Sequence, residues 1–218
     1  ELTMAEVYKI QTLNKISSKG LELFPREAYE IASEIPHPDA IILRSFKMHD
    51  MELPASLQAV GRAGAGVNNI PIDVCTEKGI VVFNTPGANA NSVKELVLMS
   101  LFLASRRVSE GIAWARSLAG KGAEVPKLIE KGKSDFAGPE IRGKRLGVIG
   151  LGAIGVMVAN DATALGMEVT GFDPFISVDS AWGLSRAVQR AVSLDTLIAD
   201  SDYISVHVPL TDKTKGLI

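Results

Sequence analysis

Apolar residues along the first ninety positions fall into short, nearly continuous runs separated by polar, helix-like stretches. Residues 7–13 (VYKIQTL), 39–45 (DAIILRS), 57–64 (LQAVGRAG) and 79–85 (GIVVFNT) are rich in β-branched residues and lack strict alternation. That pattern predicts parallel strands covered on both faces. Between the last two lies IPIDVCTEKG, a helix with Pro71 at its start and Gly79 past its end, the usual asymmetry of caps. The spacing SVKE at 92–95 predicts a capping box, and apolar residues run on through Leu118, broken by Arg106, Arg107 and Arg116. We read this as one long helix over 91–118 that bridges two domains or faces a partner subunit. Residues 120–144 turn polar and glycine-rich, which predicts a surface crossing.

A second alternation opens at Arg145. RLGVI predicts a strand, residues 153–165 a helix, EVTGF a strand, residues 193–202 a helix and YISVHV a further strand, with a weaker strand signal at 187–192. Repeated β-α alternation argues parallel, doubly wound sheets, and the start of the long helix divides the chain into 4–92 and 93–218. No repeat of solenoid period appears.

Composition narrows the function classes. A net charge of −2 and a pI near 6.0 carry no polyanion signature, so neither nucleic acid nor an anionic membrane surface is an expected partner. The single cysteine, Cys75, rules out an intrachain disulfide framework and fits a reducing, cytoplasmic setting. The longest apolar run, at 96–104, is far short of the ~20 residues of a membrane span. No basic-plus-apolar leader opens the chain, and ELT before Met4 reads as a cloning remnant.

The candidate chemistry begins at LGVIGLGAIG. Gly150, Gly152 and Gly155 fit G-x-G-x-x-G between a predicted strand and a predicted helix, and Asp173 lies eighteen residues beyond Gly155 at the end of the next strand. Gly150 allows the tight turn, Gly152 lets backbone approach a pyrophosphate, and Gly155 lets helix and strand pack closely. The phosphates then sit on the positive helix end at Ala153 and Ile154, while Asp173 accepts from the ribose hydroxyls and repels a 2′-phosphate, favouring NAD over NADP. A purely structural turn, and a strand-end aspartate before Pro174, are the competing readings at this point.

A second glycine turn, VGRAGAGVNNI at 60–70, also follows a strand and precedes a helix. Amides from Gly64 to Val67 can form an anion nest. Arg62 beside it and Arg44 at another strand end would supply two guanidinium groups to a substrate bearing a carboxylate and a phosphate. Exposed, solvated arginines are the competing reading.

ILRSFK, VGRAGAGVNNIPIDVCTEKGIVVFNTPGANANSVKEL, LGVIGLGAIG, GFDP and HVPLT occur here in an order that resembles the D-2-hydroxyacid dehydrogenase family, and most nearly its phosphoglycerate-oxidising branch. The resemblance covers essentially the whole chain from Met4. It implies a flavodoxin-like, doubly wound substrate domain followed by the first half of a Rossmann NAD-binding domain, with the active site between them. It assigns Gly64, Ala65, Gly66, Val67 and Asn68 to the substrate carboxylate, Ala65 also to the nicotinamide side, and Arg44, Ser45 and Arg62 to the phosphate end. Asn89 and Asn91 lie where the family's cleft closes. Ala153 and Ile154 match the pyrophosphate turn, although many relatives carry arginine at the position of Ala153. Asp173 and Pro174 match the ribose side, His207, Val208 and Pro209 the segment over the adenosine, and Thr214 a threonine shortly after it.

The same resemblance makes His207 a cofactor-pocket residue and not the catalytic base. His37 and His49 read as loop residues and Cys75 as a small core residue. The family's catalytic arginine, acid and histidine would come after Ile218, so no catalytic residue is expected within this chain and the segment alone is expected not to transfer hydride. Dimers or tetramers through the 91–118 helix are a further implication. Another small 2-hydroxy acid as substrate, or an NADH-sensing binding role without catalysis, stands as an alternative.

Overall fold

The computed structural model describes residues 7–211 and 213–218, so the expected domain start at Met4 and the ELT remnant lie outside the described residues. The chain divides into two compact units, Glu1–Asn89 and Ala90–Ile218.

The first unit contains β1 (Tyr8–Leu13), α1 (Ser18–Leu21), β2 (Tyr29–Ala32), β3 (Ala40–Leu43), β4 (Ala59–Arg62), α2 (Ile72–Glu77) and β5 (Val81–Asn84). Its five strands are all parallel in the order β2-β1-β3-β4-β5, in register through Ile10, Ala40, Ala59 and Val81. Ile41, Leu43, Met48, Val60 and Cys75 are fully buried at the centre of its core. The end of α2 shows how sequence sets the next strand. Gly79 takes φ +70°, its N–H bonds Thr76 O, and the Ile80 N–H reaches back to Cys75 O, a Schellman closure that turns the chain into β5. Coverage on both faces does not hold for residues 79–85: β5 is the sheet edge, and Val81 and Phe83 are 53% and 60% exposed. The connecting helices α1 and α2 are too short to roof that strand. Helix α1 falls in one of the expected helix-like connectors, whereas β2 departs from the reading; β2 is four residues long and is anchored by Tyr29, whose ring packs at 5.2 Å from Phe24 and 6.0 Å from Tyr8.

The second unit contains α3 (Ala90–Ser105), α4 (Val108–Ser117), α5 (Val125–Gly132), β6 (Arg145–Ile149), α6 (Ala153–Ala164), β7 (Glu168–Phe172), α7 (Val178–Gly183), β8 (Gln189–Arg190), α8 (Leu194–Asp200) and β9 (Tyr203–Val206). Its sheet is parallel in the order β8-β7-β6-β9. Four of the five residues of β6 are buried, with Leu146 and Val148 packed against Val158, Ala159 and Ala162 of α6. On the other face α8 sits so close to β6 that a Cβ on Gly147 would meet Ser201 Oγ at 2.5 Å. Helix α3 lies on α6, tied by a 2.6 Å ion pair between Lys94 and Asp161.

Three expectations are corrected here. The helix over 91–118 is two helices, α3 and α4, broken at Arg106–Arg107. At the break Gly138 crosses so near the Ser105 carbonyl that any Cβ there would strike it. Ser105, 5% exposed, meanwhile bonds Tyr203 Oη at 2.7 Å. The capping box does not form, because α3 already begins at Ala90 and Ser92 lies inside it; the Glu95 carboxylate takes the Asn91 Nδ2–H at 2.9 Å instead. Residues 120–144 are not a plain crossing. They hold α5 and 3-10 turns at Gly122–Glu124 and Lys133–Phe136, and Phe136 packs at 5.1 Å on Trp114 with the Arg107 guanidinium over its ring. Among the described residues no helix is long and apolar enough to cross a membrane.

Candidate dinucleotide and substrate sites

In the order β8-β7-β6-β9 the chain direction of winding reverses between β6 and β9, and the loops at their carboxyl ends form the crevice where ligands of open α/β sheets bind. Three of the expected segments meet there. Gly150, at φ +88°, donates to Phe172 O of β7 at 2.9 Å, while His207 after β9 donates to Ile149 O at 2.7 Å. A Cβ on Gly150 would stand 2.8 Å from both His207 O and Val208 Cγ1. Gly155 faces the Gly150 carbonyl with no room for a side chain, so the helix presses directly on the turn.

Gly152 is different. Its φ is an ordinary −79°, and a Cβ there would meet nothing within 4 Å. It is the N-cap of α6, and the first amide of this end with a backbone acceptor is Val156, bonded to Gly152 O. Among the described residues the N–H groups of Gly152, Ala153 and Ile154 are thus left without an acceptor beside the open space at Gly152, a ready anion site at the positive end of a twelve-residue helix. Asp173 adjoins it: Oδ2 accepts from Leu151 N–H and Oδ1 from Phe175 N–H, each at 2.8 Å. Each oxygen keeps a lone pair for a sugar hydroxyl. Open amides beside a carboxylate are the donor and acceptor set a dinucleotide requires, so these residues fit NAD. Pro174 borders a cavity of about 320 Å³ between the ends of β7 and β8, with Leu151, Ile176, Val188 and Val192 on its walls.

His207 hydrogen-bonds Ser205 Oγ through Nε2 at 2.8 Å, and burial pushes its imidazole below the ordinary value. The folded state therefore binds fewer protons here than the unfolded chain. This contribution to stability is complete above about pH 6.5 and declines as pH falls through that value. Thermal melts at about pH 8 and pH 5.5 should differ less for His207→Gln than for the parent chain; an unchanged difference would remove His207 as the cause. Thr214 is spent within its own turn, donating to Pro209 O at 2.6 Å and accepting from Thr211 N–H at 2.8 Å. It braces the loop after His207, Val208 and Pro209.

The first unit presents the other glycine turn at the ends of β4 and β5. Gly64 O accepts from Thr85 N–H at 3.0 Å and Ala65 O from Asn84 Nδ2 at 2.7 Å, which fixes the loop by its carbonyls. The expected nest of Gly64 to Val67 is shifted by one residue: the Gly64 N–H is taken by Arg62 O at 2.9 Å, while among the described residues the N–H groups of Ala65, Gly66, Val67 and Asn68 have no backbone or side-chain acceptor, the arrangement of an anion nest. Arg62 folds over Gly64, with Nε donating to Arg44 O at 3.1 Å. The Arg62 guanidinium therefore lies beside the nest, and the backbone of Arg44 is held against Arg62. Asn89 is exposed and Asn91 is turned onto Glu95. Among the described residues no cluster of His, Cys, Asp and Glu could hold a metal. Asn14, Asn69 and Asn84, which frame these loops, were not singled out from sequence.

Comparison with known proteins bears on both units. Residues 98–218 match the family described as D-isomer specific 2-hydroxyacid dehydrogenase, NAD binding domain. The whole chain is 35% identical to a D-3-phosphoglycerate dehydrogenase of Archaeoglobus fulgidus and spans 40% of its length. It is 33% identical to a hydroxypyruvate reductase of Thermotoga maritima, covering 97% of this chain and 68% of that protein. Among solved structures, the NAD+-bound 3-phosphoglycerate dehydrogenase of Entamoeba histolytica aligns over 97% of this chain and 66% of its own, at 27% identity and a TM-score of 0.69. The apo D-mandelate dehydrogenase of Rhodotorula graminis aligns over 97% and 69%, at 25% identity and a TM-score of 0.72. The chain belongs to the D-isomer specific 2-hydroxyacid dehydrogenases, and its second unit carries their NAD-binding domain.

Proposed function

We propose that this chain supplies the cofactor- and substrate-binding parts of an enzyme that oxidises 3-phosphoglycerate to 3-phosphohydroxypyruvate with NAD, the opening step of serine synthesis. The observation that carries the substrate is the pairing of four open amides, Ala65 to Asn68, with the Arg62 side chain, which lies over Gly64 and bonds the Arg44 carbonyl. The nest takes the carboxylate and the arginines the phosphate, through charge-assisted hydrogen bonds. The strand order β2-β1-β3-β4-β5 supports a flavodoxin-like substrate domain. NAD supplies the hydride acceptor; the residues of this chain bind, orient and discriminate. Exposed Leu96, Met99 and Phe102 along α3 support assembly of two or four copies through that helix.

A second reading, action on an unphosphorylated 2-hydroxy acid, is favoured by the 33% identity to the Thermotoga maritima hydroxypyruvate reductase. Arg62→Ala separates the two. It should weaken 3-phosphoglycerate about 10- to 100-fold, the worth of a charged hydrogen-bond pair, and D-glycerate less than about threefold. Binding titrations of both ligands check this. Equal losses would place Arg62 away from the phosphate and favour the second reading.

A further inference from the structure

We propose that Asn14 and Asn69 are positioning residues that clamp the backbone of Arg44, Ser45 and Phe46, fixing the point from which Arg44 and Ser45 reach the phosphate. The inference rests on the substrate reading above and deepens it. These three residues leave the end of β3 as an exposed segment. Such a segment ordinarily gives its backbone groups to water. Here protein groups take them.

Asn14, just past β1, sits at φ +71° and turns its Oδ1 onto two amides, Ser45 N–H at 3.0 Å and Phe46 N–H at 2.6 Å. From the loop after β4, Asn69 Nδ2 donates to Arg44 O at 3.2 Å and to Phe46 O at 2.8 Å, while Asn69 O accepts from Met48 N–H at 2.8 Å. Arg62 Nε adds a further donor on Arg44 O. The two asparagines thus hold opposite edges of the same short segment, amides from one side and carbonyls from the other. Asn69 Oδ1 is buried with no partner among the described residues, so the amide's orientation is set by its two donated bonds. Met48, wholly buried in the core, pins the far end.

The clamp lies where β1 and β3 are neighbours, the reversal point of the β2-β1-β3-β4-β5 order. Ligand groups at such a crevice bind more tightly when the segment bearing them is already ordered, because the ordering entropy is not charged to binding. A clamp that orders Arg44 and Ser45 should therefore favour the phosphorylated ligand specifically. The carboxylate nest, held instead by Thr85 and Asn84, should feel little of it.

Asn14→Gly is the informative variant, since glycine keeps the left-handed backbone and removes only the clamp. In the 218-residue chain it should weaken 3-phosphoglycerate about five- to tenfold and D-glycerate less than about twofold, read by NMR titration. Hydrogen exchange at the Ser45 and Phe46 amides should accelerate in Asn14→Gly and stay slow in Asn14→Asp, which retains an acceptor. Equal weakening of both ligands, or unchanged exchange, would reduce Asn14 to a structural role and overturn the inference. Arg44→Ala serves as the reference. If it weakens 3-phosphoglycerate while Asn14→Gly does not, only the clamp fails. If neither variant alters binding, or the parent chain binds no 3-phosphoglycerate, the substrate reading falls and the clamp's role in it falls too.

Discussion

A Gly150→Ala variant should melt roughly 5–15 °C lower in its second unit and bind NAD on the order of 100-fold more weakly. Two separate penalties combine. At φ +88° an alanine suffers the left-handed strain, about 1–2 kcal/mol, whatever the space around it. Its Cβ would also stand 2.8 Å from His207 O and Val208 Cγ1, backbone and a loop side chain that cannot swing aside, adding about 1–3 kcal/mol of overpacking. Relief comes only by parting the turn from the β9 loop, which moves the amides of Gly152, Ala153 and Ile154 off their common focus. Gly152→Ala is the matched control. It has ordinary φ and open space, so stability should change by less than about 0.5 kcal/mol. Its methyl would nevertheless occupy the approach to those amides, so NAD affinity should fall with the melting temperature unmoved. Differential scanning calorimetry with NAD titration measures both quantities. Full NAD affinity in Gly152→Ala would remove the turn as the pyrophosphate site.

The parts of this arrangement that could be read from sequence are those written in local pattern. Gly150, Gly152, Gly155 and Asp173 announce themselves because a tight turn, an open helix end and a strand-end acid each demand one residue type at one spacing. The strands around Ile41, Val60, Val148 and Val169 announce themselves by continuous apolar character. What was missed depends on partners distant in sequence. The break after Ser105 lies where Gly138 packs against the Ser105 carbonyl from 33 positions away, a neighbour that no propensity within LFLASRRVSE foretells. The Ser92 capping box is defeated because the helix starts earlier, at Ala90. Asn14 looks like any polar residue after a strand until Ser45 and Phe46 are brought to it across 31 and 32 positions. Residues 120–144 look like loop because their apolar residues are sparse, yet Val125, Leu128 and Ile129 fall at helical spacing and Trp114 meets Phe136 only once the 3-10 turn after α5 is folded against α4.

Asp173→Ala should lower NAD affinity about 30- to 100-fold while leaving NADP affinity the same or higher, so that the preference between the two cofactors largely disappears. The carboxylate serves two ends at once. Its oxygens hold Leu151 N–H and Phe175 N–H at 2.8 Å, which braces the turn, and under the proposed reading their remaining lone pairs accept from the ribose hydroxyls. Alanine forfeits both contributions for NAD. For NADP the second contribution has the opposite sign, because a 2′-phosphate carrying about −1.5 to −2 charges is repelled by the carboxylate and relieved by its removal. Asp173→Asn should fall between parent and alanine for NAD. The amide keeps one acceptor oxygen but must point its NH2 at one of the two backbone N–H groups, donor against donor. The cofactor ratio, and not the absolute loss, is the decisive measurement. If the acid only braces the turn, Asp173→Ala will weaken NAD and NADP by the same factor and depress the melting temperature with it. A collapsed ratio cannot arise from that bracing, since both cofactors present the same pyrophosphate to the same amides and differ only at the ribose 2′ position.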